Sequence, residues 1–271
     1  MTWLHAVILG IIQGITEFLP ISSSGHLLVI PAVLGWPEQG MVFDVTMHLA
    51  TLLAIVIALR NDIGQLIKGC RTGVKADQLL VAKLLVATIP AVAVGVLLGD
   101  WLDSLRTVTI VAWMMILWGA LLFLADYWPK KKTIDALRVR DVSWTQSVVI
   151  GVAQSFALIS GTSRAGATMT VGLFSGLDRG QVARFSFLLA IPAILGAGAK
   201  TWFDVYKSGA GIGMPVGMLV IGFVTALVFG VLSIRFLFYM IRKTGFTPFA
   251  IYRIVFGVAV LLLVAGGVIA G

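Results

Sequence analysis

Apolar residues run along most of this chain, and the polar interruptions divide it into segments of two lengths. Residues 3–19 read as an apolar helix interrupted by Gln13 and Glu17 and stopped by Pro20; a second run covers 25–35 and ends at Gly35-Trp36-Pro37. Both fall short of the roughly 20 apolar residues that cross a bilayer. Together they predict a helical hairpin that enters and leaves the membrane on one side, tolerated at that depth only where protein or a wet cavity covers its broken backbone. Three runs of bilayer length follow at 42–60, 79–99 and 107–127, separated by polar gaps at 61–78 and 100–106. After a basic segment with Lys130, Lys131, Lys132, Arg138 and Arg140 the pattern restarts. Residues 144–160 and 164–176 read as a second hairpin, broken at Ser160-Gly161-Thr162-Ser163, and three more spans are expected at 183–201, 214–234 and 249–270.

The restart is visible residue by residue. Gly10, Gln13, Ser22 and Gly25 recur 141 positions later as Gly151, Gln154, Ser163 and Gly166, at polar and glycine positions that apolar bias does not produce. The expected fold class is therefore an all-α integral membrane protein, an inverted-topology repeat whose halves each hold one re-entrant helical hairpin and three transmembrane helices. Residues 1–127 form the first repeat with its hairpin at 3–35, 128–143 a basic cytoplasmic linker, and 144–271 the second repeat with its hairpin at 144–176. Inverted repeats of this kind place their site near the midplane, where the broken segments meet.

Composition agrees: 59% of residues are hydrophobic and 12% charged, which suits a bilayer. The net charge of +8 does not indicate nucleic acid, because the cations gather in the gaps between apolar runs. Arg60, Lys68, Arg71, Lys75, the 130–140 cluster, Arg179, Arg184, Arg235, Arg242 and Lys243 share one side; the other keeps little beyond Arg106 and Lys207. The positive-inside rule makes the first side cytoplasmic. Both termini and the first hairpin then face the periplasm or exterior, and the second hairpin enters from the cytoplasm. A lone Cys70 excludes an internal disulfide. No Lys or Arg precedes the first apolar run, so the N-terminus reads as part of the mature fold and not as a signal peptide.

The polar residues inside the hairpins are the candidate chemistry, since ionisable groups within apolar segments are costly to keep. Gln13 and Glu17 are four apart and share a helix face. Glu17 could ligate a hard divalent cation, orient a histidine or take a proton. Ser22, Ser23 and Ser24 precede a helix; capping accounts for one of them, and the free N–H groups at that helix start, Gly25 included, favour phosphate. Ser23 could attack phosphorus with His26 taking its proton, or His26 could be the nucleophile while the serines hold the phosphate. In the second hairpin Arg164, which aligns with Ser23, offers planar donors to phosphate oxygens beside Ser163 and Gly166, with Thr168 on the same face. Asp44 and His48 could line the same cavity or form a local helix-edge pair, and stay outside the core site. Lys83 and Arg253 are expected to snorkel from span ends.

The stretches EFLPISSSGH, SGTSRAGAT and FTPFAIYR resemble the undecaprenyl-diphosphate phosphatases, the bacitracin-resistance family of bacterial membrane proteins, along essentially the whole chain. The resemblance implies hydrolysis of undecaprenyl diphosphate to the monophosphate, recycling the carrier lipid of peptidoglycan and other envelope polymers. Bacitracin then acts by sequestering that substrate. It implies a site open to the periplasm, in a bacterial inner membrane, on the same six-span fold. Residue by residue it assigns Gln13 and Glu17 to the family's Glu/Gln-x-x-x-Glu motif, with Mg²⁺ or Ca²⁺ as the cofactor. Ser22, Ser23, Ser24 and His26 fall on its serine loop and histidine, and Ser160 to Thr168 on its arginine loop. Gln13 replaces a common glutamate, Ser160 a proline and Ala165 a serine. The expected partners are the polyprenyl diphosphate and the bilayer, without nucleic acid, and a homo-oligomer is compatible with the sequence. A lipid-phosphate flippase on the same fold is the rival reading, and a binding protein without turnover a third.

Overall fold

The computed structural model describes residues 1–37, 39–127, 139–208 and 213–271. Helix α1 (Trp3–Phe18) starts on Thr2, whose side chain accepts from the His5 N–H, and ends where Pro20 holds Leu19 in the extended region. Helix α2 (Ser23–Leu34) follows after a four-residue turn and closes on Gly35 in the left-handed region, φ 64°. Then come α3 (Met41–Ala58), α4 (Arg60–Arg71), α5 (Lys75–Leu97), α6 (Gly99–Ser104) and α7 (Val108–Tyr127). After a 3₁₀ turn at Val139–Asp141, α8 (Trp144–Phe156) opens on a reciprocal cap in which Ser143 and Gln146 each bond the other's backbone N–H. The chain finishes with α9 (Arg164–Phe174), α10 (Arg179–Ser208), α11 (Val216–Lys243) and α12 (Thr247–Ala265).

Among the described residues no strand occurs, and six helices, α3, α5, α7, α10, α11 and α12, are long and apolar enough to cross a membrane. Their outer faces are hydrocarbon: Val220, Val224, Val228 and Leu232 form an exposed stripe at four-residue spacing along α11. In water that stripe would be a liability; toward lipid it is the expected surface. The chain is a multi-pass, all-helical membrane protein.

The structure corrects several boundaries. The gaps at 61–78 and 100–106 are not plain loops. They carry α4, which sets Arg60, Lys68 and Arg71 outward while Ile63 and Leu66 pack on the core, and the single turn-and-a-half of α6. Mean apolarity misses such helices because their hydrophobic content is periodic rather than continuous. Helix α11 continues past 234 to Lys243, and α10 spans Arg179 to Ser208. Lys130, Lys131, Lys132 and Arg138 lie outside the described residues, as does most of the 128–143 linker. Lys83 does not snorkel: it is 8% exposed and its Nζ donates to Val142 O at 2.6 Å.

Packing follows a regular exchange between the two halves. Helix α1 lies along α11 and α8 along α5; α3 packs on α11 and α10 on α5; α7 and α12 pack on each other. Close approach rests on missing side chains. A Cβ at Gly10 would sit 2.6 Å from Gly222 O, and one at Gly151 would overlap the Ala87 backbone. At the far end of α7, Asp126 accepts from Arg179 Nε (2.6 Å) and from the Phe246 and Thr247 N–H groups (2.9 and 3.1 Å), binding α7, α10 and the start of α12 together.

Candidate active site

The site forms where the α1–α2 turn meets the α8–α9 turn. In both turns the serine before the second helix has a left-handed backbone: Ser22 at φ 76° and Ser163 at φ 69°, the only non-glycine residues with positive φ among those described. Each hydroxyl caps its helix, accepting from Gly25 N (3.3 Å) and Gly166 N (3.0 Å) respectively. A left-handed serine costs on the order of 1–3 kcal/mol. The cap and the interlocked packing offset that cost and aim the next residue, Ser23 or Arg164, at the same space.

There the two hairpins meet through one carboxylate. Glu17, near the end of α1, is 7% exposed. Its Oε1 accepts from Arg164 Nη2 at 2.7 Å, and its Oε2 accepts from Ser23 Oγ at 2.7 Å and from Gln13 Nε2 at 3.0 Å. His48 Nε2 lies 3.7 Å from the same Oε2, while its Nδ1–H donates to Asp44 O at 2.8 Å. The turns also touch directly, Gly161 N donating to Ser24 Oγ at 3.4 Å.

Glu17, Ser23, Ser24, His48, Gln154, Ser163 and Arg164 line one wall of a cavity of about 1410 Å³. Its remaining walls are largely hydrocarbon, including Leu27, Leu28, Val92, Val96, Leu158 and Ile194. Polar capacity is left over on the polar wall. Arg164 Nη1 and both amide atoms of Gln154 are buried without a hydrogen-bond partner. The N–H groups of Ser23, Ser24, Arg164 and Ala165, at the starts of α2 and α9, make no hydrogen bond to the described residues. Two helix N-termini and an arginine with a spare donor, beside an apolar chamber, have the chemistry that suits a phosphate on a hydrocarbon tail.

Several expected residues sit elsewhere. His26 is 3% exposed and off the cavity wall: Nδ1–H donates to Ser22 O (2.7 Å) and Nε2 accepts from Tyr252 OH (2.7 Å), with Phe256 stacked at 4.5 Å. It braces the left-handed Ser22 and does not meet the Ser23 hydroxyl, which Glu17 holds. Ser22, Gly25 and Gly166 serve the caps. Thr168 is fully buried, bonded to Arg164 O (2.7 Å) and Ser186 Oγ (2.6 Å), and faces α10 rather than the cavity. Arg253 is not a snorkelling residue either. It is 0% exposed, with its guanidinium between the two turns.

Sequence reasoning left out His48 and Gln154. The four-residue spacing of Asp44 and His48 allows the cavity as one option, and Gln154 stands out in the sequence only as part of the repeat. For a divalent cation, Glu17 supplies one charged oxygen donor on the polar wall, while Gln13 Oε1, orphaned, is fully buried and off that wall. Among the described residues no three His, Cys, Asp or Glu side chains converge. A lone carboxylate suits an ion carried largely by a ligand's own phosphates, the habit of Mg²⁺, and not a closed protein cage.

Comparison with known proteins gives a consistent result. A family model described as "Bacitracin resistance protein BacA" matches residues 6–259. The chain is 40% identical to the undecaprenyl-diphosphatase of Teredinibacter turnerae over 97% of its own length and 100% of the relative's. For the undecaprenyl-diphosphatases of Chromohalobacter salexigens and Hahella chejuensis the figures are 40% over 98% and 100%, and 41% over 97% and 98%.

Proposed function

The chain belongs to the BacA bacitracin-resistance family, and we propose from that premise that it is an undecaprenyl-diphosphate phosphatase whose nucleophile is Ser23. It converts undecaprenyl diphosphate to undecaprenyl phosphate and inorganic phosphate. The observation that carries the residue assignment is the chain of contacts Ser23–Glu17–Arg164, each 2.7 Å long, joining two hairpins on one cavity wall.

The headgroup enters with its terminal phosphate against the α2 and α9 starts. Its oxygens take the Ser23, Ser24, Arg164 and Ala165 N–H groups and the spare Arg164 donor, and the Gln154 amide adds one more. As Arg164 turns to phosphate, Glu17 loses that partner and is freed to accept the Ser23 proton. Ser23 Oγ then bonds to the terminal phosphorus, the bond from phosphorus to the bridging oxygen breaks, and the lipid monophosphate leaves with that oxygen. Glu17 passes the Ser23 proton to the departing monophosphate and then takes one from water; the resulting hydroxide bonds to the phosphoserine phosphorus, the bond from phosphorus to Ser23 Oγ breaks, and Glu17 returns the proton to Ser23 as phosphate leaves. Catalysis here is mainly placement and charge stabilisation. Glu17 would hold Mg²⁺ or Ca²⁺, which would supply charge neutralisation on the phosphates, and Gln13 steadies the Glu17 carboxylate through its amide N–H. His48, open to the cavity, is placed to contact the headgroup from the Glu17 side.

The inverted repeat with two re-entrant hairpins belongs to the same proposal. It is supported by the exchanged packing of α1 on α11 and α8 on α5, and by the left-handed serines 141 positions apart. The distribution of Lys and Arg supports a plasma-membrane orientation with both termini and the cavity on the periplasmic or exterior side.

The test is phosphate release from undecaprenyl diphosphate in detergent, with and without EDTA, for wild type and Ser23→Ala. Release that vanishes in the mutant supports the assignment, and loss in EDTA supports the cation. Release by a folded Ser23→Ala protein at the wild-type rate would end the nucleophile reading. No release by folded wild type would favour lipid-phosphate transport on the same scaffold.

A further inference from the structure

Arg253 sits on α12, far in sequence from both hairpins, yet it reaches both turns at once. Its Nη1 donates to Pro20 O (3.0 Å), in the serine turn. Its Nη2 donates to Gly161 O (2.9 Å) and Thr162 O (2.8 Å), in the arginine turn. Longer bonds from Nε to Met115 O and from Nη2 to Met114 O (both 3.3 Å) fix the head on α7. The side chain is 0% exposed, and no ion pair among the described residues includes it.

A fully buried guanidinium without a carboxylate is an expensive choice. What a neutral chain lacks is the planar fork. Only that fork can hold carbonyls from two separate turns and a third helix at fixed angles. Pro20 lies three residues before Ser23, and Thr162 lies two before Arg164. The fork therefore sets the gap between the nucleophile and the phosphate-binding guanidinium. It also leaves a positive charge, without a carboxylate partner among the described residues, beside both turns and off the cavity lining. The neighbouring Tyr252 reaches the serine turn as well, through His26.

We propose that Arg253 is a positioning residue for phosphate hydrolysis: a single clamp that holds the two active-site turns in register, and whose charge helps draw a diphosphate headgroup to them. This rests on the function proposed above, since it assumes that Ser23 and Arg164 act on one phosphate. Arg253→Lys keeps the charge but loses the fork; Arg253→Met loses both. Lys83→Met, at another buried cation but outside the site, controls for general destabilisation.

Two readouts separate the clamp from the chemistry. Amide hydrogen exchange without substrate reports the turns themselves. In Arg253→Lys, exchange should rise together at residues 21–25 and 160–166, and Lys83→Met should leave both segments as in wild type. Steady-state hydrolysis of undecaprenyl diphosphate, per folded molecule, reports positioning. Arg253→Lys should lower kcat about 10- to 100-fold with KM within about threefold, as expected when reacting groups are displaced by a fraction of an ångström to an ångström. Arg253→Met should lower kcat and also raise KM. Unchanged exchange at either turn would overturn the clamp. Wild-type kcat in folded Arg253→Lys would overturn positioning, and unchanged KM in Arg253→Met the role of the charge. If Arg253→Met does not fold, binding of inorganic pyrophosphate to Arg253→Gln takes its place for the charge, with affinity equal to wild type overturning it. Should wild type show no hydrolysis, the exchange result still decides the clamp while the functional reading fails separately.

Discussion

The serine turn and the arginine turn have the same backbone and opposite chemistry. Each places a left-handed serine before a helix, caps that helix with the serine hydroxyl, and presents the following residue to the cavity. In one turn that residue is Ser23, the proposed nucleophile; in the other it is Arg164, a fixed cation. On the proposed mechanism, divergence at one aligned position separates attack on a phosphate from holding it, while the frame is kept. Glu17, which has no acidic counterpart in the second hairpin, contacts both residues and couples the two roles.

Substitutions can break that comparison in graded steps. The largest effect is expected for Ser23→Ala, which leaves the frame intact but removes the attacking oxygen: turnover should fall by about 10⁴ or more, read as phosphate release. Arg164→Ala should cost on the order of 10²–10³ in kcat, with Arg164→Lys recovering part of it because the charge remains without the planar fork. His48→Ala should lower kcat/KM by about tenfold, the scale of one lost hydrogen bond to a charged group. A smaller and symmetric effect is expected on stability. Ser22→Ala and Ser163→Ala each lose a cap and should each lose about 1 kcal/mol in thermal or denaturant unfolding. Unequal losses would show that the two frames are less alike than their backbones.

Much of the spans and both hairpin breaks were legible in the sequence, because apolar runs of bilayer length leave little choice of structure. Helix α4 was not, since its apolar positions are spaced and its mean polarity resembles a loop. Within the site, Glu17, Ser23, Ser24, Ser163 and Arg164 stood out as polar residues in apolar surroundings, and the structure brings all of them to one wall. His26 and Thr168 looked equivalent by the same criterion and are turned away. A one-residue change of phase on a short helix decides this, and the sequence carries no signal for where α10 and α12 will press. Arg253 was misread for a related reason. A cation near a span end ordinarily reaches water, and only the three-dimensional convergence of five carbonyls makes an inward path better. Gln154 is a different lesson: its place in the repeat shows in the sequence, whereas its unpartnered amide on the cavity wall shows only in the structure.

The hydrocarbon walls of the cavity, Leu27, Leu28, Val92, Val96, Leu158 and Ile194, bear on how this protein meets its substrate. A ligand whose tail stays dissolved in the membrane is encountered by lateral diffusion in a two-dimensional fluid. The governing quantity is then its mole fraction among lipids, not its molarity in the buffer. Diluting a mixed micelle with more detergent at constant bulk substrate should slow turnover, whereas diluting the whole sample with water should change it little.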